Sequence, residues 1–211
     1  MQAISARLKA SDWMGAAGLA EKALAAGDQG PMLHKLRALL RQQTGRWAEA
    51  ADDLRVTLAA WPQDFAAWNM LGICEARAGR PGPAIQASDR ALALKPDYAP
   101  ALINKAWALE LTGEVGAARA AYLAAETLEP ADPRAGAGLA LLDARAGDWG
   151  AARTRAASVL ARQPGQVAAE MAMAMAVLGE GDAANGLDRF ERLLSRTDLD
   201  PHQAAVAEGQ R

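Results

Sequence analysis

The sequence predicts an all-α protein built from stacked helix hairpins, and three observations support this prediction. Alanine, the strongest helix former, supplies most of the apolar residues, whereas only 5% of the 211 residues are aromatic. No segment alternates apolar and polar residues between turn residues, as a strand would require. Three residue types recur every 34 residues: Pro62, Pro96, Pro130 and Pro164; Gly45, Gly79, Gly113, Gly147 and Gly181; and Ala50, Ala84, Ala118 and Ala152, with Gly186 in the fifth place.

One period has the features of two helices joined by a turn, as residues 65–98 illustrate. Gly79 is expected to end the first helix, because glycine readily adopts the left-handed conformation found at helix C-termini. A second helix is predicted from about residue 82 to residue 94. It stops before Pro96, which lacks the amide hydrogen that a continuing helix needs.

The same periodicity divides the whole chain. Residues 1–30 form a partial hairpin, in which SDWMGAA at 11–17 opens the second helix. Residues 201–211 begin a capping helix or a further repeat. Between them lie five full repeats, at 31–64, 65–98, 99–132, 133–166 and 167–200.

The repeat resembles the tetratricopeptide repeat (TPR) family, whose pattern is Trp-x2-Leu-Gly-x2-Tyr, then Ala-x3-Phe, then Ala and Pro. The stretch WNMLG provides the first part as Trp68, Leu71 and Gly72. The turn and the start of the second helix recur as GRWAEA at 45–50 and GDWGAA at 147–152. The second part of the pattern appears in order as Ala118, Tyr122, Ala125 and Pro130.

The resemblance covers residues 31–200 and is to the alanine-rich bacterial type of the family. It implies a right-handed superhelical solenoid of antiparallel hairpins. Two departures weaken individual repeats. Asp198 replaces the last proline, and the Tyr column holds other residues throughout: Arg41, Glu75, Leu109, Asp143 and Val177.

The resemblance also implies a non-catalytic scaffold without a cofactor, whose first helices line a concave apolar groove that binds a protein or peptide. Trp107 is open to two interpretations, as packing under a neighbouring repeat or as a binding anchor. A clamp for acidic chaperone tails is excluded, because Ile73 and Gly138 occupy two of its polar positions. The groove candidates are the residues rotated away from the core stripe: Lys35, Leu39, Asn69, Ile73, Arg77, Ile103, Asn104, Trp107, Arg134, Leu141, Arg145, Met171 and Met175.

The stretch EMAMAMAV at 170–177 alternates large and small apolar residues with the period of a strand, but the repeat register places it on a first helix. At 100° per residue, Met171 and Met175 share one side and are expected in the groove. Met173 points away from them and is expected in the core. A helix therefore separates the three sulfurs, which excludes a methionine metal site.

Composition excludes several other functions. A net charge of −2 gives no basic stripe for nucleic acid. The longest apolar run is too short to span a membrane, and no signal peptide is visible, so a cytoplasmic protein is expected. No catalytic group is predicted, because His34 belongs at the core edge and Cys74 is expected to be a buried, inert thiol. Acidic pairs are expected as surface and loop charges: Asp52 with Asp53, and Asp198 with Asp200.

Two alternatives follow from the chain stopping inside a predicted helix at 201–211. The chain could be the N-terminal TPR part of a larger bacterial enzyme, with a sulfotransferase-like domain that is missing here. It could also associate with itself through an uncapped end of the stack.

Overall fold

The computed structural model describes residues 2–196, and within them it contains twelve α-helices and no strand, which confirms the predicted all-α class. The predicted helix at 201–211 lies outside the described residues, as do Asp198 and Asp200. Across residues 2–196, no helix combines the length and apolar character needed to cross a bilayer. The helices are α1 Gln2–Lys9, α2 Trp13–Ala25, α3 Pro31–Gln43, α4 Trp47–Ala60, α5 Phe65–Arg77, α6 Pro81–Leu94, α7 Ala99–Leu111, α8 Val115–Leu128, α9 Pro133–Arg145, α10 Trp149–Arg162, α11 Val167–Gly179 and α12 Ala183–Leu194.

We call α3, α5, α7, α9 and α11 the first helices, and α4, α6, α8, α10 and α12 the second helices. Each first helix begins 34 residues after the previous one. The chain divides into two compact units, an N-terminal unit with α1–α7 and a C-terminal unit with α8–α12. The boundary follows Glu114 and therefore falls inside the predicted repeat 99–132.

The turns inside the hairpins use the glycine column. Gly79 follows α5 with a φ of 74°, in the left-handed region that glycine reaches without a steric penalty. The other four glycines of this column also have positive φ. The next first helix can then start on a polar cap, as when the side chain of Asp64 accepts a hydrogen bond from the Ala67 amide at 2.9 Å. The glycine spacing thus sets the hairpin ends.

Small residues let the helices approach closely. A Cβ atom on Gly72 would lie 3.3 Å from the Ala84 carbonyl oxygen and 2.9 Å from Ser88 Oγ. A Cβ atom on Gly138 would lie 2.4 Å from the Tyr122 ring, so the ring occupies the space that a side chain would fill. An alanine-rich chain can therefore fill its interior with thin, closely spaced layers.

Carboxylates buried between helices are the main polar element of the interior. Asp53 on α4 is one of them, so its prediction as a surface charge is wrong, whereas its neighbour Asp52 is exposed. Asp53 accepts hydrogen bonds from Arg37 at 2.6 and 2.9 Å and from Arg41 at 2.7 Å. Burial raises the pKa of Asp53, but the bonds from Arg37 and His34 and the charge of Arg41 outweigh it and leave the pKa below its usual value.

Two further carboxylates stand where the family pattern has tyrosine. Glu75 is bonded by Arg55 and by Arg80 Nε, the latter at 2.5 Å. Asp143 is bonded by Arg119 at 2.6 Å and by Arg155 at 3.3 Å. These ion pairs replace the tyrosine contacts as links between helices, since a buried charge is tolerated when it is paired and hydrogen-bonded.

Candidate partner-binding surface

Two opposite faces of α5 follow from its helical geometry. Ile73 and Arg77 are four residues apart and share one face, while Leu71 and Glu75 share a face about 200° away. Leu71 and Glu75 are buried, whereas Ile73 and Arg77 remain half-buried. The first face is the one from which the groove candidates were predicted.

Arg77 lies between two tryptophans. Its guanidinium carbon is 4.8 Å from the centroid of the Trp107 ring on α7 and 5.7 Å from that of Trp47 on α4. At these distances the electron-rich ring faces attract the cation. Arg77 therefore links three helices of the N-terminal unit at one point on its surface.

Trp107 combines features of the two interpretations that the sequence left open. It packs against the buried cluster of Ala76, Ala84 and Ala108, so part of the ring is covered by the alanines of neighbouring helices. The side chain is only half-buried, so the rest of the ring remains accessible beside Arg77. A partly exposed ring held in place by its neighbours suits a binding anchor.

Asn69 and Asn104 form an amide pair on the same side of the N-terminal unit. Asn104 Nδ2 donates to Asn69 Oδ1 at 2.7 Å, which joins α7 to α5. Asn69 is buried and Asn104 is half-buried, so Asn104 is the member that a partner can reach. Amides can both donate to and accept from a polypeptide backbone.

Lys35 is held in an ion pair with Asp64, its ammonium 2.5 Å from the carboxylate. Burial raises the pKa of Asp64, but the bonds from Lys35 and the Ala67 amide lower it further, so the net pKa is below its usual value. Lys35 thus stabilises the start of α5. It brings no unpaired charge to the surface.

We define the first-helix face of the N-terminal unit by five half-buried residues: Leu39, Ile73, Arg77, Asn104 and Trp107. Ile103 was also predicted for the groove, but it is only 7% exposed and belongs to the interior. The accessible part of the predicted groove in this unit is therefore apolar and aromatic around one arginine.

The C-terminal unit corrects the predictions for Leu141, Met171 and Met175. Met171 and Met175 are 3% and 9% exposed, and both belong to one core cluster together with Leu141 and with Met173. The expected contrast between Met173 and its two neighbours is absent. The physical reason is that α11 packs against α9, α10 and α12, and its alanines let all three approach.

The two arginines predicted on α9 lie at opposite ends of that helix, and neither is in the core. Arg134 bonds to Asp132, with its Nη2 atom 2.6 Å from the carboxylate. Arg145 lies in the last turn of α9, where a cation interacts favourably with the helix dipole. The structure thus does not bring them together with the buried methionines.

The groups considered for catalysis are buried. His34 Nδ1 lies 2.8 Å from Asp53 Oδ1 in the ion cluster described above. Cys74 is fully buried, and burial raises its pKa to about 11, so the reactive thiolate is scarce at neutral pH. Residues 2–196 hold no group of three or more His, Cys, Asp or Glu arranged to bind a metal ion.

Sequence reasoning missed Trp47 as part of this surface. It belongs to a second helix, and the groove was expected from first helices alone. The signal that could have found it is the GRW turn at 45–47, because the residue after that turn begins α4 close to the end of the next first helix. Its contact with Arg77, 30 residues later, requires the three-dimensional arrangement of the hairpins.

Comparison with known proteins agrees with this architecture. A family model for the tetratricopeptide repeat matches residues 1–64 and, in a second overlapping match, residues 35–99. No curated protein matches the chain.

Several solved structures share the fold. A thermophilic TPR protein from Thermus thermophilus is 18% identical, with a TM-score of 0.71 over 86% of this chain and 98% of that one. The type IV pilus biogenesis factor PilW is 22% identical, with a TM-score of 0.72 over 97% and 95%. YrrB, a TPR protein with an unusual peptide-binding site, is 15% identical, with a TM-score of 0.56 over 90% and 97%.

At these identities the solved structures show the fold alone. The family model over residues 1–99 and the helix hairpins that continue at the same 34-residue spacing through α11 place the chain in the tetratricopeptide repeat family.

Proposed function

We propose that this protein is a non-catalytic scaffold that binds a partner polypeptide on the first-helix face of its N-terminal unit. The main support for this proposal is the cluster of Arg77 with Trp47 and Trp107, a rigid aromatic and cationic site beside the half-buried Ile73. Aromatic residues and arginine are the side chains that most often dominate binding energy at protein interfaces. The similar fold of YrrB, which has a peptide-binding site of its own, is consistent with this role.

The chemistry of the face defines the kind of segment that fits. Leu39 and Ile73 suit aliphatic or aromatic partner side chains, and the accessible Asn104 amide suits a backbone carbonyl or amide. The contact of Arg77 with the two indoles fixes the Trp107 ring, so the accessible part of that ring suits an apolar or aromatic partner side chain without reorganisation. The partner is therefore expected to be a segment with apolar side chains at intervals.

Site-specific photo-crosslinking tests this proposal. A photoreactive side chain placed at Ile73 in the full chain should form a covalent adduct with a defined protein in a lysate of the native organism. The matched control is the same group at Leu123, an exposed apolar residue on α8 of the C-terminal unit.

The proposal predicts a discrete adduct at position 73 that disappears when Trp107→Ala is added, and no adduct of that mass at position 123. Circular dichroism and thermal melting of the double variant check that the fold persists. The absence of a discrete adduct at position 73, or equal adducts at both positions, contradicts the proposal.

A further inference from the structure

A second groove opens in the N-terminal unit on the opposite face of α5. Its walls are the second helices α4 and α6, and its floor is the buried face of α5. The cavity measures about 580 Å³, within the range of pockets that bind ligands. We define this second-helix groove by its main lining residues: Arg55, Leu58, Trp68, Leu71, Gln86 and Arg90.

The floor of the second-helix groove is apolar. Leu58 and Leu71 are almost entirely buried beneath it, and Trp68 is half-buried with its indole nitrogen bonded to the Pro62 carbonyl at 2.9 Å. That hydrogen bond fixes the ring, so its apolar surface is available without reorganisation. An apolar side chain of a partner would gain free energy by leaving water for this floor.

The walls carry charged side chains, and some of these form ion pairs while others do not. Glu75 is neutralised by Arg55 and Arg80, and Arg55 is further paired with Asp52 at 2.5 Å. Arg90, exposed on the α6 wall, makes no ion pair with any residue among 2–196. The groove therefore has an excess of positive charge at its α6 rim.

The length of the groove limits what it can hold. On α6 its lining runs from Pro83 to Arg90, about two helical turns, or roughly 11 Å. That length accommodates one or two side chains of a partner and is too short for a whole docked helix. A short segment is the occupant that fits.

We infer that the second-helix groove binds a short acidic peptide segment, with a large apolar side chain over Trp68 and Leu71 and a neighbouring carboxylate at Arg90. This site differs from the first-helix face, since its floor residues point about 200° away from Ile73 and Arg77 around α5. The protein would then contact partners through both faces of its N-terminal unit. The inference does not depend on which partner binds the first-helix face.

Peptide selection on the full chain tests the inference. Phage-displayed random peptides are selected against the protein, and the enriched sequences are synthesised with a fluorescent label and titrated by anisotropy. We expect enriched peptides that combine aspartate or glutamate with leucine, phenylalanine or tryptophan. Replacing their carboxylates by amides should weaken binding.

Three variants locate the binding site. Arg90→Glu should weaken binding by about 10-fold, equivalent to about 1.4 kcal/mol. Gln86→Glu, an isosteric change of an exposed side chain in the groove, should also weaken it by electrostatic repulsion. The matched control Lys22→Glu makes the same charge change as Arg90→Glu on the exposed side of α2 and should leave affinity within about 2-fold, because surface charges far apart are screened.

The inference is overturned by any of three results. Selection could yield no peptide, or only peptides without carboxylates. Lys22→Glu could weaken binding as much as Arg90→Glu, which would indicate nonspecific charge attraction. Ile73→Asp could abolish binding while Gln86→Glu has no effect, which would place the peptide on the first-helix face and leave the proposed function standing.

Discussion

The ninth residue of each first helix behaves differently in the two units. In the N-terminal unit this position holds Leu39, Ile73 and Trp107, and all three are half-buried. In the C-terminal unit it holds Leu141 and Met175, and both belong to the core cluster. The repeat pattern therefore determines the side of the helix on which a residue lies. The neighbouring helices determine whether its side chain is exposed to solvent.

The two units also differ at a second pair of equivalent positions. Trp47 and Trp149 both begin second helices, and each meets the residue 30 positions later. For Trp47 that residue is Arg77, whose guanidinium lies over the ring. For Trp149 it is Gly179, where an added Cβ atom would lie 2.4 Å from the ring. A long cationic side chain meets the first ring, whereas glycine lets the second ring lie directly against the helix backbone, and both rings are half-buried.

The largest expected effect is a charge placed at the ninth position. Met175→Asp should lower the free energy of unfolding by about 4 kcal/mol, because it buries an unpaired carboxylate among apolar side chains. Ile73→Asp, the matched change in the N-terminal unit, should cost less than about 1 kcal/mol, because the side chain can reach water. Urea denaturation measures both, and equal losses would remove the distinction between the units.

The buried carboxylates test whether both units depend on buried ion pairs for their stability. Asp53→Asn should cost about 3 kcal/mol at pH 7, because it leaves the arginines around it without a partner. Asp143→Asn in the C-terminal unit should cost a similar amount, and the exposed Asp52→Asn almost nothing. If the Asp143 change were harmless, the C-terminal unit would not depend on its ion pairs.

The Asp53 cluster also gives a pH dependence with a definite sign. The pKa of Asp53 is lowered in the folded protein, so its contribution is fully present above its unfolded value of about 3.9 and is lost as pH falls below that. Unfolding free energy measured from pH 6 down to about pH 2 should decline more steeply in the wild type than in Asp53→Asn. Parallel curves would exclude this coupling.

A smaller effect is expected where the Trp149 ring approaches Gly179. Gly179→Ala should lower stability by about 2 kcal/mol, because the new methyl group must displace the ring. Gly150→Ala is the control, since a Cβ atom there meets no atom within 4 Å and alanine favours the helix. The melting temperature should therefore fall for Gly179→Ala and rise for Gly150→Ala.

The smallest effect concerns Arg77 itself. Arg77→Ala should lower the free energy of unfolding by about 1 kcal/mol, since each partly exposed cation–π contact contributes about 0.5–1 kcal/mol. Arg90→Ala, which removes an exposed arginine from α6, should change stability by less than about 0.5 kcal/mol. Tryptophan fluorescence should change for Arg77→Ala, and unchanged fluorescence in that variant would contradict the assigned contacts.

The helices could be predicted because their ends depend on local chemistry. Gly79 ends α5 through its own backbone freedom, and the same residue type recurs at each turn. The burial of Met171 and Met175 on α11 could not be predicted, because it depends on α9 and α12, which pack against this helix. Periodicity assigns a residue to a side of its helix and says nothing about what covers that side.

The binding surface was predictable only in part for the same reason. Ile73, Arg77 and Trp107 follow from the repeat register, and all three are accessible. The position of Trp47 over Arg77 depends on contacts between separate hairpins. The burial of Asp53 likewise depends on Arg37 and Arg41 from another helix. The residues next to Asp53 in the sequence therefore did not indicate that it is buried.

The central claim is that the ninth position is accessible in the N-terminal unit and sealed in the C-terminal unit. Thiol labelling tests it most directly, with Ile73→Cys and Met175→Cys each introduced into a Cys74→Ala background. We expect the thiol at 73 to react with a soluble reagent within about 10-fold of its rate in urea, and the thiol at 175 to react only on unfolding. Equal native-state rates at the two positions would contradict the claim.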